Sequence, residues 1–382
     1  MKLVLVGHSS GLLGAERSLL EIAQGAVMDG NEVAVLIPNV GPLQDLLHEA
    51  GAKTYLAPAF SWMGPKHHLF PLGLARYCQA RLSVNRISCL LRELDPDVVV
   101  TNTSILPAAA MAARSLAIPH VWIVRESLAT NRQLRSGLSK RFISRTIFEN
   151  SIAICCISNF VSRQLLDLFP GDPRRIHLVS PRPMDSVDRA GRSIRLSPPL
   201  KLLLPGFFSF EKGQYRAIRA LAVSRRAGTN AVLELVGTGS WLQLFWLRAT
   251  AILLGVRRSV RFNGWQRDMA SRYRQADMAL MTSGNEAYGR TTAEALGFGI
   301  PVIGVNSGAT PEVLRHGGGV LAAATITGLA DAITRCANMS EDERRLLADE
   351  ARAAGAQLAS TPSQYDQLRS VLKEVRRSDS AA

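Results

Sequence analysis

The chain has 382 residues, 47% apolar and 20% charged, which is enough to bury the cores of about two domains and excludes a disordered chain. Lysine and arginine number 45 against 31 aspartates and glutamates, a net charge of +14. The excess is not gathered in a tail, since residues 1–190 hold 20 basic and 15 acidic side chains and residues 191–382 hold 25 and 16. Such a balance favours polyanions as a class, whether nucleic acid, anionic lipid or phosphorylated substrates.

LVLVG (3–7) is an apolar run ending in glycine, too short for a secretory signal, and reads as a first strand. A helical stretch over 14–30 and a second strand, EVAVLIP (32–38), follow. PDVVVTN (96–102), PHVWIVRE (119–126) and SIAICCIS (151–158) continue the series, separated by helical segments such as 106–117. Residues 180–200, rich in Pro, Ser and Arg and without a period, read as a linker. The rhythm then restarts with KLLLPG (201–206), AVLELVG (231–237), SVRFNG (259–264), MALMTS (278–283) and IPVIGV (300–305). Strands alternating with helices predict parallel sheets covered on both faces. The expectation is two doubly wound α/β domains, over 1–185 and 199–362, joined by a linker at 186–198.

The stretch from Trp241 to Leu254 is interrupted by Gln243 and Arg248 and is too short to span a bilayer, so the chain is expected to be soluble and cytoplasmic. Its first seven residues, 241–247, are apolar on every side of a helix, as in buried core or in a partly exposed interfacial patch. The five cysteines, Cys78, Cys89, Cys155, Cys156 and Cys336, follow neither a zinc nor a disulfide spacing, which fits a reducing compartment.

Doubly wound sheets take ligands where strand ends pass into helix N-termini. The first such turn is Gly7-His8-Ser9-Ser10-Gly11-Leu12-Leu13-Gly14. Its G-x3-G-x2-G spacing is not that of a nicotinamide site, the second strand ends at Pro38-Asn39 without an acid, and no GxxxxGK[ST] occurs. The loop either lets an anion approach or uses its glycines for a positive-φ turn.

Residues 277–321 say more. A strand ends at Met281-Thr282, Glu286 lies in the loop after it, Gly289 breaks the chain, and a helix opens about Arg290-Thr291 with Glu294 one turn in. In a continuous helix the two carboxylates would stand about 12 Å apart, whereas a glycine turn lets them flank one ligand. Amides at 289–291 suit a diphosphate. A carboxylate accepts from two vicinal hydroxyls at once, so Glu294 suits a ribose and Glu286 a sugar.

Followed by Ala295-Leu296-Gly297-x-Gly299-x-Pro301-Val302-Ile303, the Glu286–Glu294 pair resembles the donor-site signature of the retaining family 4 glycosyltransferases of GT-B fold. The resemblance implies two Rossmann-like domains facing a central cleft, with a helix at about 363–382 returning to the N-terminal domain. It also implies Glu286 on the transferred sugar, Glu294 on the ribose, Gly206 and Lys212 on the diphosphate, Gly264 and Trp265 near the nucleobase, and an acceptor-side loop at Gly7, His8, Gly11 and Gly14. Three positions depart from the family. Phe207 stands where it has an arginine, leaving Arg290 as the substitute cation. Arg125, followed by Glu126, stands where it often has a histidine near the reacting centre. Ser180-Pro181-Arg182-Pro183-Met184-Asp185 replaces its Asn-Gly-Val-Asp loop.

The implied reaction moves a sugar, with retention, from a nucleotide diphosphate sugar to an acceptor hydroxyl in surface polysaccharide or glycolipid assembly. Its catalytic candidates are Glu286, Lys212, Glu126 and Arg125. Its donor-binding candidates are Gly206, Lys212, Gly264, Trp265, Glu286, Gly289, Arg290, Thr291 and Glu294. No metal or other cofactor is implied. The acceptor would be a glycan or a lipid-linked sugar. Arg132, Arg135, Lys140, Arg141 and Arg145, with no acid among them, suit either an anionic membrane on the inner face or an ordinary solvated surface. The rival readings are a catalytically silent GT-B protein that binds nucleotide or glycan, and a sugar-nucleotide epimerase of the same fold. Nucleic-acid binding is not expected, for no recognised module is present.

Overall fold

A computed structural model describes residues 1–64, 71–131, 133–183 and 198–379. The chain divides into two compact units, Met1–Pro181 with Pro362–Ala382, and Arg182–Thr361. Of the linker expected at 186–198, only Pro198 is among the described residues, and Met184, Asp185 and Arg132 also lie outside them.

The first unit holds strands β1 (Lys2–Val6), β2 (Glu32–Ile37), β3 (Lys53–Leu56), β4 (Val98–Thr101), β5 (His120–Val124), β6 (Ala153–Cys156) and β7 (Ile176–Leu178). They form a parallel sheet in the order β3-β2-β1-β4-β5-β6-β7, with Val4 opposite both Ala34 and Val99. The second unit holds β8 (Leu200–Pro205), β9 (Ala231–Val236), β10 (Val260–Asn263), β11 (Met278–Met281), β12 (Val302–Val305) and β13 (Gly319–Ala322). Their order is β10-β9-β8-β11-β12-β13, again parallel. Both sheets therefore wind outward in two directions from a central gap, β1|β4 in one and β8|β11 in the other.

The inner strands are mostly apolar because both faces are covered, with Glu234 of β9 an exception that accepts from Asn263 and Arg272. In β8, Leu202 and Leu204 enter the core shared with Ile218, Leu221 and Ile333, while Leu203 points the other way toward Leu296 and Val302. β11 divides likewise, with Met278 and Leu280 on one side and Ala279 and Met281 on the other. The strands the sequence reading passed over, β3, β7 and β13, all lie at sheet edges, where fewer residues are buried.

The helix Gln364–Asp379 belongs to the first unit. Tyr365, Leu368 and Leu372 are buried there, and the Tyr365 hydroxyl donates to Asp29 at 2.7 Å and accepts from Asn31 at 2.9 Å.

Candidate functional site

In the second unit the loops leaving β8 and β11 flank the gap where the sheet reverses its winding. The first carries Lys212 and the second Glu286, and the Lys212 ammonium donates to Glu286 Oε2 at 2.8 Å across the gap. Two more bonds fix the loops. The Thr282 hydroxyl donates to the Lys212 carbonyl at 2.8 Å, and fully buried Gln214 donates from Nε2 to the Phe207 carbonyl at 3.0 Å. A third loop, after β12, clamps the Glu286 backbone, as Ala309 N donates to Glu286 O at 2.8 Å and the Ser307 hydroxyl to Gly284 O at 2.6 Å. Gly308 makes that clamp possible. Its φ is +65°, and a Cβ there would lie 2.7 Å from both the N and the O of Glu286.

Gly289 turns the chain at φ +99°, and the helix Arg290–Gly297 starts at once with no side-chain cap. Its first amides point N-terminally as an anion site would need, and the buried Thr292 hydroxyl beside them has no hydrogen-bond partner. Glu294 accepts from the Tyr273 hydroxyl at 3.3 Å. Tyr273 is fully buried and stacked on Phe298 with centroids 5.0 Å apart. Burial, then the neighbouring Glu294 carboxylate, push the Tyr273 hydroxyl well above its ordinary range, so it remains a donor that aims Glu294.

The structure thus brings Lys212, Glu286, Gly289, Arg290, Thr291 and Glu294 to one end of one sheet. Gly206, at φ +136°, is hydrogen-bonded from its N to Val236 O at 2.9 Å. Gly264 and Trp265 follow the edge strand β10 and are exposed. Phe207 is exposed too, so the missing arginine leaves no cation there. Arg290 lies beside Tyr288, whose hydroxyl is pushed up to about 12 by burial against the pull of that guanidinium. A cation the sequence reading missed is Arg216, whose guanidinium nitrogens come within 3.4 and 3.5 Å of where a Cβ on Gly284 would stand.

In the first unit, Arg125 and Glu126 serve the loop that leaves β4. Glu126 accepts from the Thr103 hydroxyl at 2.7 Å, the Ser104 hydroxyl at 2.7 Å and the Ser104 amide at 3.0 Å. Buried Arg125 donates to Asn102 Oδ1 at 2.8 and 2.6 Å, and Asn102 in turn donates to Ala15 O at 2.9 Å. The stacked indoles of Trp62 and Trp122 hold the Ser104 and Thr103 carbonyls at 2.8 and 2.7 Å. In this geometry Arg125 and Glu126 hold the loop after β4 in place. Gly7 and Gly11 lack left-handed φ values, so the turn reading of that loop does not hold. His8 Nε2 lies 3.5 Å from Oε1 of Glu16, a buried carboxylate whose Oε2 has no hydrogen-bond partner and which sequence reading did not single out.

A concavity of about 690 Å³ opens at the opposite, amino-terminal ends of β5, β6 and β7 and touches none of these residues, so size alone does not locate the site.

Two parallel sheets of this winding, each with loops built at its reversal point, define the GT-B class of sugar-handling folds. Solved structures agree. Anabaena HepE in complex with UDP superimposes with a TM-score of 0.75 at 19% identity, covering 98% of this chain and all of that one. The same protein with UDP-glucose gives 0.72 at 19% identity over the full length of both chains. Among curated proteins, the GDP-mannose-dependent alpha-(1-6)-phosphatidylinositol monomannoside mannosyltransferase of Mycobacterium tuberculosis is 32% identical over 182 residues, which is 45% of this chain and 46% of that one. The chain thus spans about half the length of the curated relatives it matches. The family model for Glycosyltransferase Family 4 matches residues 13–181, and that for Glycosyl transferases group 1 matches 193–353. The chain belongs to glycosyltransferase family 4. Among the described residues no helix is long and apolar enough to cross a membrane.

Proposed function

We propose that the chain transfers a sugar, with retention at the anomeric carbon, from a nucleoside diphosphate sugar to an acceptor hydroxyl. The observation that carries this is the Lys212–Glu286 ion pair across the β8|β11 gap, next to an uncapped helix start whose Glu294 is aimed by Tyr273. A diphosphate bound here takes the Lys212 ammonium from Glu286, which frees that carboxylate for the hydroxyls of the sugar. Glu294 accepts from the ribose, and the amides from Gly289 onward meet the phosphates. As the bond to the sugar breaks, charge gathers on the departing diphosphate, and fixed cations and amides stabilise it without reorganising. Arg216 and Arg290 are the cations that stand in for the arginine absent at Phe207. We assign no metal, cofactor or protein nucleophile.

The relatives support this donor class, since one is GDP-mannose-dependent and another was solved with UDP and with UDP-glucose. The phosphatidylinositol mannoside in the first name supports a glycan or lipid-linked acceptor and a place in glycolipid or polysaccharide assembly. The test is calorimetric titration with UDP, GDP, ADP and dTDP. We expect one of them to bind in the micromolar range and Glu294→Ala to weaken it at least tenfold, about 1.4 kcal/mol. Tight binding that Glu294→Ala leaves untouched refutes the site. Binding without turnover of any matching sugar nucleotide leaves the silent-binder reading in its place.

A further inference from the structure

A surface helix normally presents a polar outer face. The helix Trp241–Leu253 does not. Leu244, Leu247, Ala251 and Leu254 pack inward on the core of the second unit. The outer face is apolar as well, with Trp241 79%, Phe245 55%, Trp246 60% and Leu253 83% exposed. The helix start is not frayed, because Ser240 and Gln243 form a reciprocal capping box at 3.2 and 2.8 Å. A groove of about 330 Å³ between Trp246, Tyr215 and Phe210 extends the apolar surface, and the Phe210 ring is itself exposed.

The sequence that carries this helix is basic. From Leu235 to Arg267 the chain holds five arginines and no aspartate or glutamate. Arg248, midway along the helix, and Arg257 and Arg258, just beyond its end, are exposed, the first two with their guanidinium groups over the Phe262 ring at 5.7 and 5.9 Å. In the basic segment at 135–145 two of the cations have partners of their own. There Lys140 donates to the Leu134 carbonyl, burial lowering its pKa, and Arg145 pairs with Glu149 at 2.6 Å.

We propose that this face of the second unit docks on an anionic lipid bilayer, with Trp241, Phe245 and Trp246 in the interfacial layer and the arginines on headgroup phosphates. Aromatic and aliphatic side chains on one face with cations at its border are what an in-plane interfacial helix requires. A second copy of the chain is the poorer occupant, since a self-complementary contact brings the five arginines against their own equivalents. The inference goes beyond the transferase reading and stands whether or not that reading holds.

The test is co-flotation of the full chain with vesicles of phosphatidylcholine alone or enriched in phosphatidylglycerol. The wild type is expected to float with the anionic vesicles and much less with the neutral ones. Phe245→Ser/Trp246→Ser and Arg257→Glu/Arg258→Glu are each expected to reduce the bound fraction on the order of tenfold. Should the first variant fail to unfold cooperatively on heating, quenching of wild-type tryptophan fluorescence by brominated acyl chains takes its place, because Trp241, Trp246 and Trp265 are exposed while Trp62 and Trp122 are buried. Failure of the wild type to float, undiminished flotation of the aromatic variant, or no quenching overturns the proposal. So does a wild-type dimer in sedimentation that Phe245→Ser/Trp246→Ser returns to monomer, which makes the face a contact between copies.

Discussion

At the scale of single residues, the strand end and glycine around 281–294 pointed to Glu286 and Glu294 as candidates, and the family resemblance pointed to Lys212. Neither could locate their supports. Tyr273, which aims Glu294, sits 21 residues away on another helix, and Arg216 reaches Gly284 only through the fold. The family resemblance made Glu126 a catalytic candidate, and in the structure its oxygens meet three donors of the loop after β4. Glu126→Ala leaves those donors without their acceptor in a partly buried place, which costs about 2 kcal/mol. We therefore expect a lower denaturation midpoint for the first unit, with nucleoside diphosphate affinity in the second unit unchanged. Unaltered stability together with lost turnover would return Glu126 to the reacting centre.

At the scale of elements, legibility followed burial. Most inner strands of both sheets stand out as apolar runs because they bury both faces, Lys201 in β8 and Glu234 in β9 being interruptions within them. β3 reads KTYL and β7 reads IHL, edge strands whose side chains are half-buried or exposed, so no such run marks them. The loops between elements carry the other unread information. Gly308 lies in a stretch with the composition of any turn, yet it is where the β12 loop closes on Glu286. Gly308→Ala adds left-handed strain of about 1–2 kcal/mol and a Cβ that displaces the Glu286 backbone. Gly228, at φ +89° with open space around it, bears the strain alone. Gly308→Ala is thus expected to weaken the nucleoside diphosphate at least about tenfold, and Gly228→Ala to leave affinity unchanged at a similar loss of stability. Equal affinities in the two variants would mean that the clamp does not set the position of Glu286.

At the scale of the whole molecule, the chain's last helix leaves the second unit's sequence and completes the first unit. Tyr365, Leu368 and Leu372 are 3%, 0% and 0% exposed, and at roughly 1.5–3 kcal/mol for each buried side chain they supply a large part of what holds a domain folded. Gln364 adds a bond from its Nε2 to Val179 O at 3.1 Å and lies 3.4 Å from both terminal nitrogens of Arg125, so the same helix supports the residue that fixes Asn102. None of this helix's bonds just described reaches β8–β13. A chain ending at Pro362 is therefore expected to lose hydrogen-exchange protection in β1 and β6 while keeping it in β8 and β11. The proposed nucleoside diphosphate site uses the second unit's own loops, so any such affinity is expected to survive the truncation. Simultaneous loss of protection in both sheets would show instead that the two units fold as a single cooperative body, and the stability cost of Glu126→Ala would then spread to the donor loops as well.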